Sequence, residues 1–243
     1  MSDDKSKRGQ PDRSVSTSSQ VYGRKFKGLL NRDFSIDVTG THWRCRQQLG
    51  HAVANGIDNV GFSFKFESWA IYNRPQIHWA DKRYYVAREG SSNRQGDQYP
   101  KKFYQAKFLA DIDEKSLWYG FYLERSEEMG ERREDWKRFL DWLKTQSGEM
   151  LLMDLSKEYG LEVSWGGVDW QEVRGEKRIP RNFDNLHHSL SQLPDGQWVN
   201  LLIGCEISKK EALNKGASIA NGIAKLLTAM VPLYDGAVTS HKS

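Results

Sequence analysis

The chain has 243 residues, of which 38% are hydrophobic, 12% aromatic and 28% charged, a balance that supports a packed core and excludes a disordered or fibrous chain. No apolar run reaches the roughly 18 residues of a membrane span, and the first thirty residues are polar and basic without the apolar stretch of a secretory signal. The formal charge of +4 sits at the N-terminus: residues 1–27 hold seven basic and three acidic residues, leaving 29 of each sign in the remainder.

Residues 1–20 are rich in Ser, Asp, Lys and Gln, with Val15 the only large aliphatic residue after Met1, so burial cannot offset their ordering entropy and they read as a flexible basic tail. No repeat and no Gly/Ser-rich or Pro-rich linker interrupts residues 21–243, which read as a single α+β domain. Thr41 is placed to cap a helix from His42 to about Asn55, with Cys45, Leu49, Ala52 and Val53 at helical spacing and Gly56 as a stop. Phe62, Phe64 and Phe66 alternate with polar residues as one face of a strand. Arg83–Arg88 reads as a strand and 91–100 as a loop. Phe103–Ala110 and Leu117–Arg125 form an antiparallel hairpin across Asp111–Ser116.

Helical spacing follows, with Trp136, Phe139, Leu140 and Leu143 on one side, then a second helix from about Ser147 to Tyr159 that stops at Gly160. Leu161–Trp165 and Val168–Val173 suggest a hairpin around Gly166 and Gly167, setting Trp165 opposite Val168. A helical turn is expected at Leu186–Leu193, and the apolar run Trp198–Ile207 has the pattern of a strand covered on both faces. Ser208 and Glu211 make a capping box for a helix starting at Lys209, whose buried stripe runs through Leu213, Ala217, Ala220, Ile223, Ala224, Leu227 and Met230. The sum is an α+β protein, a mainly antiparallel sheet with helices packed on one side and a long C-terminal helix.

From about Phe103 to Tyr234 the strand pair, the Trp136 helix, the strand ending in Trp165, the Trp198 strand and the closing helix ending Val231, Pro232, Leu233 together resemble uncharacterised accessory domains of bacterial restriction and defence proteins. That resemblance implies DNA as a partner.

Charge is segregated within the body. Arg74–Lys107 carries eight basic residues against Asp81, Glu89 and Asp97, whereas Asp111–Asp135 carries nine acidic and four basic. A positive side, a negative side and a basic tail suit a molecule that orients on a polyanion. The expected nucleic-acid contacts are Arg24, Lys25 and Lys27 in the tail and Arg74, Trp79, Lys82, Arg83, Arg88, Arg94, Lys101 and Lys102 in the ordered face, with Trp79 as a plane for stacking a base.

An alternative is a metal-dependent nuclease of PD-(D/E)XK type. Gln105 and Lys107 share one face of a strand, and with Asp81 or Asp97 they offer the residue types that hold Mg²⁺ and orient a water, Mg²⁺ being required only on this reading. A third reading is a protein-interaction subunit or homo-oligomer joined through its oppositely charged sides. No other cofactor is expected, since no phosphate-cradling glycine loop is present. His42, Cys45 and His51 lack the further ligands of a structural zinc site, so no metal is expected there. With Cys45 and Cys205 the only cysteines, no disulfide framework is available, and the expected compartment is the reducing cytoplasm.

Overall fold

A computed structural model describes residues 25–35, 40–58, 65–70, 75–81, 106–125, 134–166, 183–194 and 198–238. These build six strands and seven α-helices. The strands are β1 (Phe66–Ala70), β2 (Gln76–Asp81), β3 (Lys107–Ile112), β4 (Ser116–Arg125), β5 (Glu162–Gly166) and β6 (Val199–Ser208). The helices are α1 (Gly40–Asp58), α2 (Glu134–Leu143), α3 (Gln146–Tyr159), α4 (Leu186–Ser191), α5 (Lys209–Lys215), α6 (Ile219–Ala229) and α7 (Val231–Val238). The strands form one sheet in the order β1-β2-β3-β4-β6-β5, and every neighbouring pair is antiparallel. The α+β class is therefore as the sequence suggests. Among the described residues no single helix is long and apolar enough to cross a membrane.

One sheet face carries the core. Ile77, Trp79, Phe108, Phe121 and Leu123 point toward the helices and meet Phe139, Leu227 and Tyr234. The rings of Phe66, Phe108 and Tyr234 lie 5.1–5.4 Å apart, a tilted and edge-on cluster that adds to simple burial. The opposite face is buried too, but mixed: Leu109, Trp118, Tyr122 and Leu202 form a small apolar cluster among Gln76, His78, Lys107, Asp111 and Asn200. Gly120 faces Gly204 across the β4–β6 pair, and a Cβ on either would strike the opposing backbone, while Gly204 also leaves room for the Trp118 ring.

Several expected elements shift. Helix α1 continues through Gly56, the expected stop, to Asp58. A Cβ at Gly56 would lie 2.6 Å from that of Ala224, and one at Gly50 would lie 2.9 Å from Ser68 Oγ, so the glycines admit close neighbours instead of ending the helix. Strand β2 had not been expected. The hairpin β3–β4 is present with Asp111 still inside the strand, and Asp113 Oδ1 accepts from the backbone N–H of Lys115 and Ser116 to close the turn. Gly160 does end α3, in the left-handed region at φ 64°. Strand β5 pairs with β6, Trp165 opposite Leu201. The expected second arm Val168–Val173, like Phe62, Phe64 and Arg83–Arg88, lies outside the described residues.

The helix from Lys209 is interrupted by a 3-10 turn at Gly216–Ser218, where Gly216 has φ 52°. That turn rotates Ala217 out to solvent, which removes it from the expected stripe, while Ile219, Ala220, Ile223, Ala224, Leu227 and Met230 remain buried. Pro232 occupies the first turn of α7, where its missing N–H breaks no helical bond.

Candidate nucleic-acid interface

The expected contact residues separate into three groups. Arg24, Arg74, Lys82, Arg83, Arg88, Arg94, Lys101 and Lys102 lie outside the described residues, as do Asp97 and Gln105. Trp79 is 0% exposed, and its Nε1–H donates to the Gly50 carbonyl at 2.8 Å, so its expected role as a base-stacking plane is corrected to a core role. Lys25 and Lys27 are exposed, because the segment 25–30 turns Phe26 and Leu29 into the core and the lysines outward.

Of the nuclease candidates only Asp81 and Lys107 are among the described residues, and they face opposite sides of the sheet. Trp79 pairs with Phe108 on the core-facing side of β2 and β3, so by alternation Asp81 shares that side while Lys107 faces the other. The two are 2% and 5% exposed respectively, and the Asp81 backbone N–H donates to the Tyr234 hydroxyl at 2.9 Å. Lys107 Nζ stands 4.6 Å from the centre of the Tyr122 ring, whose hydroxyl donates to Asn200 Oδ1 at 2.6 Å. Among the described residues no group of three or more His, Cys, Asp or Glu is placed to hold a metal ion.

Neither cysteine is activated. Burial, with Asp33 nearby, pushes the Cys45 thiol up to about 12 in spite of Arg46 and Arg32, and burial, aided by Glu162, pushes Cys205 up to about 11. Burial also lowers His51, opposed by Glu67.

Of the acidic run Asp111–Asp135, the structure describes residues 111–125, 134 and 135. Asp111, Arg125 and Asp135 are buried, with the Asp135 carboxylate accepting from the backbone N–H groups of Ala106 and Trp136 at 2.9 Å each. Its Lys115 joins a basic site instead.

That site is an open concavity of about 500 Å³ lined, among the described residues, by Asn31, Lys115, Lys209, Lys210, Leu213 and Asn214, none of them a carboxylate. Three parts of the chain build it. The β4–β6 register sets Ser116 opposite Ser208, which brings the β3–β4 turn beside the start of α5, and the Lys209 N–H donates to the Lys115 carbonyl at 2.8 Å. Ser208 Oγ accepts from the Glu211 N–H at 3.2 Å and so starts α5 at Lys209. Lys210, Leu213 and Asn214 then share one helix face by their spacing.

The third wall is the 3-10 turn Asn31–Asp33. Arg46, fully buried on α1, holds it by donating from Nη2 to the carbonyls of Asp33 and Ser35 at 3.1 Å each. Lys209 Nζ reaches back to within 5.5 Å of the Phe34 ring centre, joining the wall to the helix. Gly28 packs on Gly216 just beyond α5, which fixes the segment that carries the exposed Lys25 and Lys27 beside that helix.

Lys25, Lys27, Lys209 and Lys210 form no ion pair with a described carboxylate, whereas Lys215 is drawn to Glu211 at 3.4 Å. Sequence reading did not single out Asn31, Lys115, Lys209, Lys210 or Asn214. Comparison with protein-family models, curated proteins and solved structures finds no match to the chain.

Proposed function

We propose that the protein is a nucleic-acid-associated binding or accessory module that attracts a phosphate backbone, DNA by preference, through its basic N-terminal segment and the adjoining lysine concavity. The observation that carries this reading is the convergence of Lys115, Lys209 and Lys210 in a concavity whose described lining holds no carboxylate. A group of neighbouring amines has a favourable use when a polyanion replaces its counterions. Lysines act here as point charges on phosphate and read no base, so the expected binding is independent of sequence.

Four to six phosphate contacts give a log–log salt slope of roughly −4 to −5 on duplex DNA, at about 0.9 per contact. The test is a titration of the full chain with a fluorescent duplex at several salt concentrations. A slope in that range supports the proposal. Absence of binding at low salt, or binding indifferent to salt, refutes it. An assembly that grows with protein concentration, dissociates in salt and retains no nucleic acid would instead favour the protein-interaction reading.

A further inference from the structure

On the reading that the protein holds a nucleic-acid duplex, one exposed side chain adds a contact that charge does not supply: we propose that Leu30 is an apolar wedge that enters a base step from the minor groove and bends the duplex there. Leu30 is 51% exposed, one of three exposed large apolar side chains among the described residues. The other two, Met150 and Met153, lie on α3 beside the exposed acids Glu149 and Asp154. Leu30 instead stands between the exposed cations Lys27 and Arg32 in the chain, and the exposed Asn31 follows it. An apolar wedge accompanied by lysine, arginine and asparagine is the set of residue types with which proteins enter a minor groove and unstack a step.

The wedge is held in place before any ligand arrives. The Leu30 N–H donates to Asp33 Oδ2 at 2.7 Å, and the Asp33 N–H donates to the Leu30 carbonyl at 2.9 Å. Asp33 is itself buried, its carbonyl and that of Ser35 accept from Arg46, and Leu29 and Phe34 enter the core on either side of the turn. Leu30 cannot turn inward without breaking these bonds, so its exposure is imposed by the turn, and insertion orders no further backbone. Burial of the exposed half of this side chain adds about five- to tenfold in affinity. That gain releases no counterions and so leaves the salt dependence untouched. The opposing cost is the stacking of the opened step, which is least where the bases are already mismatched. The preference therefore follows how easily a step opens and not which bases form it.

The experiment titrates the full chain with two end-labelled duplexes of equal length, one fully paired and one with a central mismatch, at several salt concentrations and with energy transfer between the ends recorded. The expected result is about five- to tenfold tighter binding of the mismatched duplex and a rise in energy transfer on binding. Leu30→Ala removes both while the salt slope and the melting temperature stay unchanged. Leu30→Lys also removes both but steepens the slope by about 0.9, the mark of an added phosphate contact. Equal binding of the two duplexes by the unaltered protein, with a normal salt slope, overturns the wedge and leaves the phosphate-backbone reading intact. A mismatch preference that persists in Leu30→Ala overturns the assignment to Leu30. No binding of either duplex at low salt overturns both readings. Binding to phosphatidylserine vesicles that Leu30→Ala weakens, without any mismatch preference, overturns the base step in favour of a lipid surface.

Discussion

Replacing Gly28 with alanine tests whether the N-terminal segment belongs to the binding site. Gly28 has φ 115°, a conformation that side chains rarely adopt. An added Cβ would lie 2.8 Å from Gly216 C, 2.9 Å from its Cα and 3.2 Å from Ala217 N. All three are backbone atoms, so no side chain can swing aside. The unfavourable dihedral costs about 1–2 kcal/mol and overpacking a further 1–3 kcal/mol or so. Burial of Phe26 and Leu29, which anchors the segment, contributes about 1.5–3 kcal/mol for each side chain. The two quantities are comparable, so the segment loosens from α5 while the sheet and its helices persist. At about 2–4 °C per kcal/mol, the melting temperature falls by roughly 4–20 °C. Lys25 and Lys27 are then no longer held beside α5, and the salt slope on duplex DNA shrinks by about 2. Thermal melting and the salt titration read both effects on one sample. Gly222→Ala is the control, since nothing lies within 4 Å of the added methyl and the helix gains stability. A Gly28→Ala protein that melts lower yet keeps the full slope would refute the claim that this segment contributes to binding, and one that melts normally would refute the packing argument itself.

Gly120→Ala drives a methyl into the Ile203 carbonyl and Gly204 Cα at the centre of the sheet, and urea unfolding should show a loss of about 3 kcal/mol or more. Arg46→Ala leaves the Asp33 and Ser35 carbonyls without their donor and opens a cavity, costing about 3–5 kcal/mol. Arg46→Met costs less than half of that by the same measurement, because Nε and Nη1 have no partner and their desolvation is no longer incurred; equal losses would refute this. The Cys45 and Cys205 thiols, raised from 9.0 to about 12 and about 11, stay protonated in the folded chain when the unfolded chain has ionised. Their contribution to stability is therefore complete below pH 9 and declines as pH rises toward 11–12, and both thiols resist alkylation at pH 8 until the chain unfolds. Rapid labelling of the native protein at pH 8 would contradict that burial.

Much of the fold was legible because single elements carry their own signals. Trp136, Phe139 and Leu143 are at helical spacing, Gly160 stops α3, and the apolar run Val199–Cys205 is buried along its length. Strand β2 was missed although Gln76, Ile77, His78 and Trp79 alternate, because its polar members sit beside a run read for its charge. Those same polar residues are buried, so alternation here separates two covered faces rather than core from solvent. Gly56 misled in the opposite direction. Glycine costs a helix about 1 kcal/mol in isolation, and only the tertiary structure shows that Ala224 occupies the space that a side chain would take.

The site was harder to read for a reason of distance along the chain. Lys115 sits within the acidic run Asp111–Asp135, and a local charge count assigns it to a negative surface. Folding divides that run: Asp111 and Asp135 enter the interior, Asp113 closes a turn, and Lys115 is carried to Lys209 by the pairing of Ser116 with Ser208. A slip of one residue in that register would turn the alternating side chains of β6 to the wrong face, so the buried Leu201 and Ile203 fix the place of Lys115 as firmly as any contact of its own. The electrostatic surface is thus set by apolar packing on the sheet. Charge patterning in the sequence pointed to Arg74–Lys107, whose cations other than Lys107 lie outside the described residues, whereas strand register decides where Lys115 comes to lie.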